Sequence, residues 1–462
     1  MSTMLMTAFG AAVLIAWRYG LAPGDAEVIA ARSCRRRLSG ATHGIAALTA
    51  LLGCVAGLGL GASAAWAASV STPTVKLTTG AAGATGVDYR VFFTVTSGLA
   101  ASNAAITVTA PAGASFANTS VAVIDLHRNL NLAACCTTLS NTNKTIKIPV
   151  AGAPAHEQVE VVLRNVSNPP TVGSDHMVVS TTSDVTLVNS SSYSIVAAQA
   201  VSSPAVSLTS AAAGATGIDY RATFTVPATG ALNGTGDSIT VTAPAGTSFT
   251  NTSVTVIDTT NDGANVTLCC ATLSNGNTTI KTGVANVAAG DQLRVVLRNV
   301  SNPPTVASDH LVVSTSSSPS PVNSSSYSIV AAHSVSSPVV ILSNSAPNAT
   351  GVTYSVTFNA SVTGALNGTG DSITIAAPAG TSFASASVSV IDQSAEDKSI
   401  NQCCTTLSNG NATIKIPVSG SLAGDTLQVI LQNAANPGGA AGTRHLTATT
   451  TSDLVPGTSG AY

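Results

Sequence analysis

Charge is scarce in this sequence. Asp, Glu, Lys and Arg make up 8% of its 462 residues, against about 25% in an ordinary soluble domain. No stretch has the Leu/Glu/Lys/Gln mixture that solvent-facing helices use. There is no basic stripe either. The formal charge is −2, and it becomes −5 once residues 1–68, with five Lys/Arg and two Asp/Glu, are set aside. That sign excludes the electrostatic footprint of a nucleic-acid partner. Aromatic residues are 4%, and both tryptophans, Trp17 and Trp66, fall in the first 68 residues. The remainder therefore has few platforms on which a sugar would stack. Beyond residue 68, cysteine occurs only as three adjacent pairs: Cys135–Cys136, Cys269–Cys270 and Cys403–Cys404.

What is abundant is Ser, Thr, Asn, Gly and apolar residues, the last at 45%. Thr, Val and Ile favour pleated, half-buried surfaces. Residues 1–68 stand apart. "RSCRRRLSGATHG" is a basic segment, "IAALTALLGCVAGLGLG" an apolar one, and "ASAAWAAS" a run of small residues. In that order they form a secretory signal, with Ala65 and Ala67 as the small residues of an A-x-A site and cleavage expected after Ala67, before Ala68. The earlier run "MLMTAFGAAVLIAW" is shorter than the roughly 18 residues needed to span a bilayer. Any membrane partner is expected only through this leader, helical if retained.

Internal repetition dominates the rest. "GATGVDYRVFFTV" at 83 returns as "GATGIDYRATFTV" at 214 and "NATGVTYSVTFNA" at 348. "VVLRNVSNPP" at 161 returns unchanged at 295, with "VILQNAANPG" at 429. Three modules are expected, at 70–200, 201–334 and 335–462. The last ends at Tyr462, which matches Tyr193 and Tyr327, so a missing final strand is expected there. A period this long exceeds the 20–50 residues of a solenoid repeat, and the chain reads as beads on a string. In "IDYRATFTV", Ile218, Tyr220, Ala222, Phe224 and Val226 share one face and the polar residues the other. Such period-2 patterning, bounded by turn signals such as "NGTGD", "APAGTS" and "SNPP", marks antiparallel strands with one wet face. Seven to nine short strands per module predict an all-β fold of three tandem two-sheet sandwiches.

The strings "GTGDSITVTAPAGTSF", "GDQLRVVLRNVSNPP" and "DHLVVSTSSS", in tandem behind a signal segment, resemble the immunoglobulin-like β-sandwich repeats of bacterial secreted and cell-surface, adhesin-type proteins. The resemblance implies an extracellular, modular, structural or adhesive role. There is no LPxTG-like sorting motif and no C-terminal apolar anchor, departures that count against attachment to a cell wall.

Three groups of residues are candidates for chemistry. The cysteine pairs come first, because an oxidising compartment favours disulfides. Within a module only neighbours can pair, and adjacent Cα atoms lie about 3.8 Å apart, below the usual 4.4–6.8 Å of a disulfide. Either a vicinal bridge breaks the strand there, or the strand is kept and the two side chains point to opposite faces, one as core filler and one as a surface thiol. Second, "DTTNDGAN" partly matches a calcium loop, with Asp258 and Asp262 in ligand slots; Thr260 occupies another slot and no later Glu closes the cage, so a turn-forming Asp is the simpler reading. Third, "SDH" at Ser174–His176 and Ser308–His310 contains triad residue types, but adjacent strand residues cannot form nucleophile–base–orienter geometry. The expectation is a non-enzymatic spacer, stalk or adhesin with no cofactor and no metal, meeting an extracellular ligand or cell-envelope component. The alternative is a redox-active or calcium-dependent surface protein using the Cys pairs or Asp-bearing loops.

Overall fold

A computed structural model describes residues 68–462 apart from Ala101, Cys269, Asn367, Gly368 and Ala441. The expected leader, with the expected cleavage residues Ala65 and Ala67, lies outside the described residues. Those described form strands and turns without a helix, so the fold is all-β.

The first copy sets the pattern. Its strands are β1 (Thr74–Leu77), β2 (Val87–Thr94), β3 (Ala105–Thr109), β4 (Ser120–Asp125), β5 (Leu130–Asn131), β6 (Thr138–Ser140), β7 (Thr145–Pro149), β8 (Gln158–Val166), β9 (Gly173–Asp175), β10 (Val178–Thr181), β11 (Val188–Asn189) and β12 (Tyr193–Ile195). One sheet runs β1-β2-β8-β4-β5, the other β11-β10-β3-β7-β6, and β9 pairs β12 alone. The ladders are antiparallel. The same orders recur from Ala205 to Ile329 and from Val339 to Thr458. The third copy has no counterpart of the β9–β12 pair among the described residues.

Alternation explains the layering. In β2, Val87, Tyr89, Val91 and Phe93 are buried, while Arg90 between them is exposed. They meet Ile106 and Val108 of β3 and Ile146 and Ile148 of β7, from the facing sheet, in one cluster. Each copy has such a cluster made from its own residues. Burying a side chain of the Val-to-Phe class contributes about 1.5–3 kcal/mol, so each copy carries its own driving force.

Two irregularities recur in all three copies. The ladder between β2 and β8 slips between Val87 and Tyr89, and likewise at Ile218/Tyr220 and Val352/Tyr354. Opposite each slip stands an Asn at positive φ: Asn165 (64°), Asn299 (66°) and Asn433 (68°). Asn tolerates this left-handed region, and the extra residue bends the strand and re-aims its partner. Here the re-aimed residue is Asp88, whose Oδ1 accepts from Asn165 N–H at 3.3 Å. The second irregularity is a polar clamp in the core. Tyr89 Oη donates to Asn168 Oδ1 at 2.6 Å, and Asn168 Nδ2 donates to the carbonyls of Thr79 and Ala81. Tyr220–Asn302 and Tyr354–Asn436 repeat it at 2.8 Å. The Asn of "SNPP" is therefore a buried tie holding the loop after β1, and more than the turn signal its sequence suggests.

Candidate functional site

The cysteine pairs lie where the chain leaves one sheet for the other, between β5 and β6 and at the corresponding place in the later copies. The strand alternative does not hold. Cys135, Cys136, Cys403 and Cys404 are all exposed, so neither partner fills a core. The second cysteine has positive φ in each copy: 74° at Cys136, 73° at Cys270 and 76° at Cys404. In the first and third copies that left-handed residue ends the alternation and turns both side chains to one side. The Sγ atoms stand 2.9 Å apart in Cys135–Cys136 and in Cys403–Cys404. Donation to the neighbouring sulfur pushes the Cys136 and Cys404 thiols up from their ordinary value. Cys269 lies outside the described residues.

The aspartates after "V-x-V-I" are buried turn-formers. Asp258 Oδ1 accepts from Thr260 N–H at 3.0 Å and Asn261 N–H at 3.2 Å; Asp125 does the same for His127 and Arg128, and Asp392 accepts from Ser394 N–H. Asp262 is an exposed turn residue at φ 49°. The carboxylate that faces Asp258 is instead Asp291, from the start of the strand Gln292–Val300; burial first and the Asp258 charge after it push Asp291 up. Asp392 is raised likewise by burial and by Asp425. In the first copy the equivalent carboxylates, Asp125 and Glu157, lie 3.9 and 3.8 Å from Arg128 Nε. Sequence reasoning missed these pairs because their members are more than 30 positions apart.

The histidines of "SDH" are tethers. Nδ1 of His176 meets the Ser190 carbonyl at 2.7 Å and that of His310 the Ser324 carbonyl at 2.8 Å; His445, which follows Thr443 and Arg444 in the third copy, meets the Ser459 carbonyl at 2.8 Å. Ser174 and Asp175 are successive residues of β9 paired with β12, so no triad is assembled there.

The most developed site was not anticipated: it is the join between copies. Thr79 Oγ1 donates to the Thr229 carbonyl at 2.7 Å, Thr85 N–H to the Ser316 carbonyl at 2.9 Å, and Thr235 N–H to Asp88 Oδ1 at 3.0 Å. At the next join Ser210 Oγ donates to the Thr363 carbonyl at 2.8 Å, Thr216 N–H to the Thr451 carbonyl at 3.2 Å, and Thr369 N–H to Asp219 Oδ1 at 3.2 Å. The three bonds correspond position for position. The beads are thus docked rather than loosely strung. The bulge supplies the receptor, and "NGTGD" (233–237) supplies the plug. A Cβ on Gly234 would overlap the Gly86 carbonyl, and one on Gly236 (φ 105°) would lie 2.7 Å from Asn165 Oδ1. Behind the plug, Asp237 is buried and accepts from Gly234 N–H at 2.6 Å and Ser316 Oγ at 2.5 Å. Burial, against the lowering effect of those bonds, pushes its carboxyl up to about 7, and Asp88 across the join adds to the rise.

No family model matches the chain, and no curated protein matches it. Among solved structures it is similar to the C-terminal domain of the Streptococcus pyogenes antigen I/II-family protein AspA, at 10% identity over 56% of this chain and 98% of that one, TM-score 0.27. It is similar also to the major pilin subunit BcpA of Bacillus cereus, at 7% identity over 72% and 83%, TM-score 0.24. The Enterococcus faecalis MSCRAMM ACE follows at 11% identity over 55% and 88%, TM-score 0.18. At such TM-scores the likeness carries no functional argument.

Proposed function

We propose that residues 68–462 serve as a non-enzymatic spacer or stalk, exported to or beyond the cell surface, whose loops meet an extracellular ligand or cell-envelope component. The observation that carries this is the repeated join. Three corresponding hydrogen bonds set the second copy on the first and the third on the second. A contact that repeats head to tail propagates one arrangement along the chain. That is what a spacer needs, and an isolated catalytic module has no use for it. The export signal read in residues 1–68 agrees with this placement, and loops at sandwich ends are where recognition would sit.

The test has two arms. Protease treatment of intact cells producing the full chain is expected to release fragments of residues 68–462; complete protection, with the chain recovered from the cytosol, contradicts the reading. Binding of residues 68–462 to arrays of glycans and matrix proteins then separates adhesin from plain spacer: saturable binding assigns adhesion, and its absence leaves the spacer role alone.

A further inference from the structure

We propose that the three cysteine pairs are sites of thiol–disulfide exchange, each closing a ring between sequence neighbours with a soluble disulfide as the oxidant. Two independent features of the fold carry this. Cys135, Cys136, Cys270, Cys403 and Cys404 are exposed on the crossing between sheets, where a small or protein disulfide has open access. And the left-handed second cysteine brings both sulfurs to one side at 2.9 Å, a separation closer to the roughly 2.05 Å of a bond than a pair alternating along a strand would reach. A residue with a Cβ is disfavoured in that conformation. The cost recurs at Cys136, Cys270 and Cys404, although the crossings around them differ in sequence ("NLAACCTT", "NVTLCCAT", "INQCCTT").

The chemistry balances without any further group. The first cysteine of a pair, as thiolate, attacks one sulfur of R–S–S–R; an Sγ–S bond forms and R–S⁻ leaves. The second cysteine loses its proton and attacks the first Sγ; the Sγ–Sγ bond forms and the second R–S⁻ leaves. Two electrons pass from the protein to the incoming disulfide, and the two thiol protons end on two R–SH. Cys136 and Cys404, which donate to their neighbours, hold their protons more firmly, so Cys135 and Cys403 lead the attack. The closed ring would pin the crossing that joins the two sheets. Zinc fits less well, since a closed site takes four ligands and no group of three or more His, Cys, Asp or Glu is gathered among the described residues.

The experiment uses residues 68–462, within which each copy has its own core cluster. The reduced chain is incubated with glutathione disulfide, alkylated, and weighed intact and after digestion. All six cysteines are expected to escape alkylation with loss of six hydrogens, no glutathione retained and no cross-linked peptides. In the triple variant Cys136→Ser, Cys270→Ser, Cys404→Ser, the first cysteines should instead keep glutathione, because no neighbour displaces it; far-ultraviolet circular dichroism matching the parent shows that the variant is folded. Six alkylated cysteines, persistent glutathione on the parent chain, or interchain dimers would each overturn the proposal.

Discussion

Single buried polar side chains decide how firmly each copy holds its shape. Asn302 satisfies Tyr220 Oη and the carbonyls of Ser210 and Ala212. Leaving a buried partner unsatisfied costs about 1–3 kcal/mol, so Asn302→Ala should lower the stability of the second copy by about 3 kcal/mol, measured by urea unfolding; a change below about 0.5 kcal/mol would show that the clamp is replaced by water. Asp237 gives a pH dependence. Its folded value of about 7 lies above the ordinary 3.8, so between the two the folded state binds more protons than the unfolded one. Stability contributed by the protonated acid is therefore complete below about pH 4 and lost as pH rises to about 7, by at most about 4 kcal/mol. Asp88, facing it across the join, strengthens the effect, and Asp291 and Asp392 shift in the same direction. Melting temperature should fall between pH 5 and pH 8, with a smaller fall in Asp237→Asn; an equal slope in both proteins would contradict the assignment.

At the scale of elements, strands were legible and joins were not. Period-2 alternation located "IDYRATFTV" and "QLRVVLRNV" because one buried face imposes it on any sheet. The cysteine crossing was legible as a choice between two backbones; which one applies depends on a left-handed residue that no local pattern announces. "NGTGD" looked like an ordinary turn because its partners, Gly86, Asp88 and Asn165, lie in the preceding copy. A signal existed in the comparison of copies. Asp occupies positions 88 and 219, where a plug follows in the next copy, while Thr353 takes that place in the third. "NGTGD" stands in the second and third copies, where a receptor precedes, while the first has "AASNA". Gly234→Val should undock the plug by collision with Gly86 while sparing the cores. Hydrogen exchange at the Thr85 and Thr235 amides, both donors across the join, should then rise at least tenfold. Unchanged protection would mean that the join does not hold those amides.

The described residues of 68–462 form three separate cores tied by two matching joins. Separate cores give each copy its own driving force; matching joins make neighbours stabilise one another, in the way that repeat arrays combine intrinsic and nearest-neighbour stability. The three hydrogen bonds common to both joins contribute about 2–4 kcal/mol if each is worth about 1, and at the first join Thr235 Oγ1 adds another to Asp88 Oδ2 at 3.3 Å. Low charge and abundant Ser, Thr and Asn suit this plan, since the joins are made by short polar side chains and backbone rather than by ion pairs. Small-angle X-ray scattering of residues 68–462 tests the docked array most directly. A single arrangement of the three copies should reproduce the curve, and a curve that only a freely jointed ensemble can fit would contradict it.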